Sequence, residues 1–249
     1  MDFVIYFYIF LMGITFGSFF TLAVYRIPLG QDITHNRSYC PNCNHKLSNL
    51  DLIPLFSYIF LRGKCRYCKT KISAQYPVIE AVNGFGYVLI FIMNGFNFTG
   101  ILYALCFSML TAITVIDWRT YEIPLGLNIT ILVLGAIHLA LDYHNFLYYL
   151  IGMVSVSGFL LLLFIITGGR GIGGGDIKLM FAAGLLLGWK HIILALVIGC
   201  IIGSIVHLTL MRIKGKGRVL AFGPYLSIGI FTVMLFGSQI LDWYIGLLF

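Results

Sequence analysis

Two aspartates and four cysteines are the side chains here whose types and spacing can do chemistry. Asp176 closes the run Gly171-Ile172-Gly173-Gly174-Gly175-Asp176, which lies between two long apolar stretches. Glycines cost backbone entropy and stop helices, and a carboxylate taken into a bilayer costs ~2.5–3.5 kcal/mol on insertion scales. A chain that places both at one point uses them. Asp117 ends the third apolar run, in Thr114-Val115-Ile116-Asp117-Trp118-Arg119. Read alone, it is equally a helix-end aspartate at the interface, paired with Arg119. Brought together, two carboxylates resist double ionisation, so the pair holds one shared proton near neutral pH. One member then takes a proton from water while the other donates to a carbonyl oxygen, which hydrolyses a peptide without a covalent nucleophile or a metal. Glycines such as Gly173 and Gly175 would let an extended peptide reach the acid with no Cβ in the way. Together with Lys178 they are the expected support of the site.

Cys40-Pro41-Asn42-Cys43 and Cys65-Arg66-Tyr67-Cys68 are two C-x-x-C pairs 21 residues apart. The gap is just beyond the usual range of a four-cysteine zinc site. Each pair can give two thiolates to one tetrahedral ion, and four cysteines close the shell, so the metal would be structural. Lys46, Lys64, Arg66, Lys69 and Lys71 would favour the thiolates. A disulfide pair or a redox motif is the competing reading; a cytoplasmic face disfavours the first and two matched pairs disfavour the second. Cys106 and Cys200 lie in apolar runs and read as buried small hydrophobes.

The elements that must position these groups are membrane helices. The chain of 249 residues is 60% hydrophobic and 10% charged, far from an ordinary soluble domain. Apolar runs at 3–25, 78–94, 101–116, 124–141, 146–167, 177–189, 192–211 and 221–248 predict an all-α polytopic membrane protein of about eight transmembrane helices. A small cytoplasmic zinc-binding loop domain lies between the first and second. The expected division is 1–25 as the first span, 26–76 as the four-cysteine domain and 77–249 as helices 2–8 with the aspartates. The 177–189 run is the shortest and suits a partial or tilted helix. The first run follows Asp2 and is long for a signal sequence, so it reads as a retained span.

The net charge is +7, but the basic residues lie in connections between spans, where membrane topology puts them, which argues against nucleic acid. With 26–76 in the cytoplasm, all of the sixteen basic residues except Lys190 fall on or just inside that face, leaving both termini outside. The same orientation places Asp117 and Asp176 at one membrane face. Gly13/Gly17, Gly184/Gly188 and Gly199/Gly203 have the spacing of close helix contacts, which favours packing within the chain over a dimer face. Leu52–Leu61, too short to span and carrying Pro54, is expected against the membrane surface. Zinc-protease H-E-x-x-H and hydrolase G-x-S-x-G patterns are missing from the sequence. The Gly169-x-Gly171-x-x-Gly174 match follows a membrane span instead of a strand, so it is no dinucleotide site.

The chain resembles the bacterial type IV prepilin peptidases, which are GxGD-type intramembrane aspartyl proteases also called leader peptidase/N-methyltransferases. The resemblance runs in order along nearly the whole chain: Gly17-Ser18-Phe19, Arg26-Ile27-Pro28, Arg37-Ser38-Tyr39-Cys40-Pro41, Ile53-Pro54, Leu61-Arg62-Gly63-Lys64-Cys65, Tyr76-Pro77 with Glu80, Asp117 with Pro124, Gly173-Gly174-Gly175-Asp176, and Phe222-Gly223-Pro224-Tyr225-Leu226. Thr21 departs from the family's usual Asn, and Leu125 from a frequent acid. Both concern helix contacts and leave the two aspartates untouched.

The resemblance implies cleavage of the leader of type IV prepilins or pseudopilins after Gly at the cytoplasmic face of the bacterial cell membrane. It further implies N-methylation of the new terminal residue, usually Phe, with S-adenosylmethionine. It carries the catalytic roles to Asp117 and Asp176, zinc to Cys40, Cys43, Cys65 and Cys68, and an association with methylation to Glu80. The other partner expected is membrane lipid. Two other classes compete. A secondary transporter with broken helices and intramembrane aspartates needs related halves, which the sequence does not show. A zinc module that only recruits partners leaves the aspartates idle.

Overall fold

The computed structural model describes residues 2–33, 38–214 and 220–248. Arg37, and the basic residues Lys216 and Arg218 that entered the topology argument, lie outside them. Among the described residues the regular structure is helical: α1 (Asp2–Arg26), α2 (Phe56–Phe60), α3 (Gln75–Asn94), α4 (Phe98–Thr120), α5 (Leu125–Leu141), α6 (Phe146–Ile166), α7 (Gly174–Leu187), α8 (Trp189–Lys214) and α9 (Gly223–Leu248). Leaving aside the short α2, eight helices fall on the eight apolar runs. Six are long and apolar enough to cross a membrane. The other two are α5, of 17 residues, and α7, of 14. At 1.5 Å per residue, α7 is only about 21 Å long, short of a ~30 Å hydrocarbon core. The expected eight spans are therefore six by length and composition. The chain is a polytopic, multi-pass membrane protein.

The helix ends have local causes. α4 starts at Asn97, whose side chain accepts the Gly100 N–H at 2.7 Å, an N-cap. It ends where Tyr121 turns left-handed at φ 57° and its N–H reaches the Asp117 carbonyl. α6 is stopped by Gly168 and Gly169, at φ 60° and 75°, which return their N–H groups to the Ile165 and Phe164 carbonyls. The helix stop lies ahead of Gly171 and the Gly173-Gly174-Gly175 run, none of which needs a left-handed backbone.

The chain forms two compact units, Met1–Ile92 and Met93–Phe249. In the first, α1 and α3 touch backbone to backbone. A Cβ on Gly13 would lie 2.8 Å from the Asn83 carbonyl, and one on Gly17 2.8 Å from the Glu80 Cα. In the second, α6 and α7 meet at Gly152 and Gly184, while Gly199 and Gly203 of α8 lie against Tyr225 of α9. All three small-residue pairs are spent on packing within the chain, as the sequence favoured. Cys106 is buried as expected. Cys200 is exposed, a correction, because it lies on the outward face of α8.

The Gly152–Gly184 crossing has no room for a side chain. Gly184→Val should lower the stability of the detergent-solubilised protein by ~1–3 kcal/mol, as overpacking does. Gly126→Ala, with nothing within 4 Å, should leave it unchanged. Thermal unfolding of the two variants checks this.

Candidate active site

In the first unit, each C-x-x-C forms a hairpin knuckle. Cys40 N–H bonds to His45 O at 3.0 Å and Cys65 N–H to Thr70 O at 2.9 Å. Isolated antiparallel bridges, Tyr39 with Lys46 and Lys64 with Lys71, close the two turns. Asn44 and Lys69 take the left-handed conformation just beyond each pair. The sulfurs of Cys40, Cys43, Cys65 and Cys68 all lie within 4.8 Å of one another, and Cys40 Sγ is 3.7 Å from Cys68 Sγ. That exceeds any disulfide bond. It matches the edge of a tetrahedron with bonds of about 2.3 Å, which is about 3.8 Å. The donor set fits one zinc ion held by these four cysteines, with no position left for a substrate.

The strongest influences on the thiols are hydrogen-bonding groups, not the basic neighbours expected from the sequence. Thr70 first, then Asn42, holds the Cys68 thiol down to about 5. The His45 backbone N–H favours the Cys43 thiolate, but burial and the neighbouring cysteines outweigh it and push Cys43 up to about 11. Beside the knuckles, Asp51 ties its 3-10 turn to the second pair. Its carboxylate takes bonds from Arg66 at 2.6 Å, Ser48 Oγ at 2.8 Å and Tyr67 at 3.2 Å. Burial works against that charge, yet the bonds from Ser48, Arg66 and Tyr67 hold Asp51 at about 2.

Between the knuckles and the α1 and α3 ends of this unit is a cavity of about 370 Å³ lined by Tyr25, Tyr39, Tyr58, Tyr76, Arg26 and Glu80 among others. Glu80 is buried and accepts the Leu55 N–H at 2.8 Å. Leu55 sits at φ 59°, a costly conformation for a leucine, and the bond to Glu80 holds it there. Nothing in the sequence pointed to Leu55. Thr21, which departs from the family's Asn, also lines this cavity. Leu125 is exposed at the start of α5.

In the second unit, Asp117 and Asp176 come together, each buried and within electrostatic reach of the other. Asp117 lies one turn before the end of α4 and takes the N–H of Gly223, the first residue of α9, at 2.9 Å. Asp176 is in the first turn of α7, and its Oδ2 takes the Gly173 N–H at 3.2 Å. Both carboxylates are thus bound by peptide N–H groups that a helix start leaves unpaired. Ile123 packs against both helix starts. A Cβ on Gly175 would be 2.9 Å from Ile123 Cβ, and one on Gly223 would be 3.2 Å from Ile123 Cδ1 and 2.7 Å from Asp117 Oδ2.

Gly175 therefore serves close packing against Ile123, while the open position is Gly174, with nothing within 4 Å. Gly173 contributes its N–H. Lys178 is exposed. Two residues on from Asp176, it lies away from the buried face and is not brought to the pair. Ile123 gave no signal in the sequence beyond its place before Pro124. Gly223 was visible within Phe222-Gly223-Pro224-Tyr225-Leu226, but not as a partner of Asp117.

The sequence profile described as Bacterial Peptidase A24 N-terminal domain matches residues 11–94, and that described as Type IV leader peptidase family matches residues 104–208. A protein of Bacillus subtilis named prepilin leader peptidase/N-methyltransferase is 32% identical, over 95% of this chain and 96% of its own. Proteins with the same name from Aeromonas salmonicida and Burkholderia pseudomallei are 30% and 31% identical, covering 93% and 84% of their lengths and 96% and 91% of this chain. The chain belongs to the type IV leader peptidase family. No solved structure matches it. In this leader peptidase family member the four-cysteine cluster and the Glu80 cavity lie within the N-terminal match, and both aspartates lie within the second.

Elemental analysis should find one zinc per chain, falling to well under half in Cys43→Ser and Cys68→Ser. The Asp51 bonds contribute in full above the ordinary aspartate pKa of about 3.9 and are lost as pH falls through the depressed folded value. Asp51→Asn should therefore lower stability at pH 7 by ~1 kcal/mol or less, Arg66 being partly exposed, and the difference from the parent should shrink below about pH 4 and vanish only below about pH 2. Chemical denaturation across that range reads it.

Proposed function

We propose that this chain is a membrane-embedded aspartyl endopeptidase that removes the leader of type IV prepilins or pseudopilins after Gly and N-methylates the new terminus. The observation that carries the hydrolytic half is the meeting of Asp117 and Asp176 around Ile123, both buried and both tied to helix starts. One carboxylate takes a proton from water as the hydroxide oxygen attacks the glycine carbonyl carbon. The other, protonated, donates to the carbonyl oxygen. Collapse of the tetrahedral intermediate breaks the C–N bond, and the leaving amine collects a proton from the pair. Arg119, in the last turn of α4, and Arg170, in the connection before α7, support a cytoplasmic position for the site under the positive-inside rule, with both termini outside.

For methylation, the supporting feature is the cavity under the knuckles. Its volume is in the range of small-molecule sites. Tyrosine faces and the Glu80 carboxylate suit a cationic, partly aromatic ligand. S-adenosylmethionine supplies an electrophilic methyl group, which the deprotonated terminal amine accepts. Glu80 would hold the positive end of the donor or of the amine, and zinc on Cys40, Cys43, Cys65 and Cys68 would keep the cavity wall in shape. The transporter reading gains nothing from the structure or the relatives.

Purified protein incubated with a prepilin-like peptide, with and without methyl donor, tests both halves by product mass. Asp117→Asn and Asp176→Asn should each reduce cleavage by at least ~10³-fold, the scale of losing a member of a catalytic pair. Both should retain zinc. Glu80→Gln should cleave normally and lose the added methyl group. Cleavage by either asparagine variant at the parental rate removes the dyad.

A further inference from the structure

Asn128 is buried on α5, and neither its Nδ2 nor its Oδ1 has a hydrogen-bond partner in the protein. A carboxamide left with both ends unpaired away from water costs free energy at each end, and such a group in a folded protein calls for a reason. The helix register supplies its location. Ile123, just before α5, lies against Gly175, and Gly135 of α5 lies against Leu185 and Leu186 of α7. The two helices therefore run side by side in the same direction. Asn128, five residues past Ile123 and seven before Gly135, falls level with Leu179. That is ~4.5 Å along the axis from Asp176 at 1.5 Å per residue. Asn128 shares its buried stripe with Ile131 and Gly135, the stripe that meets α7.

A second group of the same kind lies on α9. Ser227 Oγ is buried without a partner, four residues past Gly223, whose N–H Asp117 accepts. Phe231 stacks near Phe107 of α4 at 4.2 Å. α9 thus runs antiparallel to α4, and Ser227 lies one turn deeper than Asp117. By helix register, two unpaired polar side chains from different helices lie about one turn beyond the aspartates.

A peptide cleaved at a membrane boundary must be extended where it is cut, and an extended backbone in apolar surroundings has unpaired N–H and C=O groups of its own. A carboxamide offers one donor and one acceptor to one such residue. We infer that Asn128 is a substrate-positioning residue of the aspartate site, pairing with the extended peptide backbone next to the scissile bond, with Ser227 as a second contact. The inference rests on the dyad reading. The open face at Gly174 lies about one and a half turns below Asn128 on the α7 side, where the peptide would enter.

The test uses full-length protein in detergent and a prepilin-like peptide. Asn128→Leu keeps the branched shape and the number of heavy atoms and removes both unpaired groups, so its thermal midpoint should be unchanged or raised. Its kcat/KM for cleavage should fall by about tenfold or more. Binding of the uncut peptide, measured by fluorescence anisotropy in the Asp176→Asn background, should weaken by a similar factor on adding Asn128→Leu. A merely structural asparagine gives the reverse pattern, with lowered stability and parental binding, and overturns the inference, as does parental cleavage with parental binding. Should Asn128→Leu not fold, Asn128→Ser and Ser227→Ala carry the same two measurements. Cleavage by Asp176→Asn alone would instead remove the dyad, a failure separate from parental binding by the Asn128 variant.

Discussion

Each of the two aspartates is held by a peptide N–H at the beginning of a helix, and the rest of the second unit is arranged around that. An anion is costly in an apolar bundle, and the start of a helix offers unpaired donors and the positive end of the helix dipole. Asp176 is itself in the first turn of α7 and bonds back to Gly173. Asp117 is near the end of its own helix and has to borrow the start of α9. The site therefore depends on α4 ending, and on α7 and α9 beginning, at one level. Pro224 in the first turn of α9 and Pro124 just ahead of α5 sit where a missing N–H costs nothing, which helps place those starts.

Small residues make the convergence possible. Gly175 and Gly223 follow from the contacts of Ile123, since a Cβ at either would run into its side chain. The same device recurs where Gly152 meets Gly184 and where Gly13 and Gly17 meet α3. Without a strong hydrophobic drive between helices in lipid, close backbone approach is the main source of packing energy. The open glycine, Gly174, is the exception, and its bareness suits access to the acid.

The first unit solves a related problem with different parts. A closed set of four sulfurs replaces a hydrophobic core in a segment too small to build one. Glu80, buried in α3, anchors Leu55 in a backbone conformation that leucine alone would not hold. The Asp51 cluster ties the turn between the two knuckles to Arg66 and Tyr67. Rigid walls of this kind give a cavity a definite shape, which favours the binding of a small molecule.

The sequence alone determined the class of the protein, the approximate place of the long helices, the four cysteines that cluster and the two aspartates that the fold buries. These depend on local composition and on spacing along the chain: apolar run length, C-x-x-C repeats, and carboxylates where carboxylates are expensive. Its family resemblance placed Glu80. Only the tertiary structure decided that Gly175 faces Ile123, that Lys178 is exposed, that the Gly223 N–H reaches Asp117, that the Leu55 N–H reaches Glu80, and that Asn128 is buried without a partner. Each of these depends on which helix lies against which and at what register. Register comes from side-chain contacts between residues far apart in the chain, and no local pattern records it.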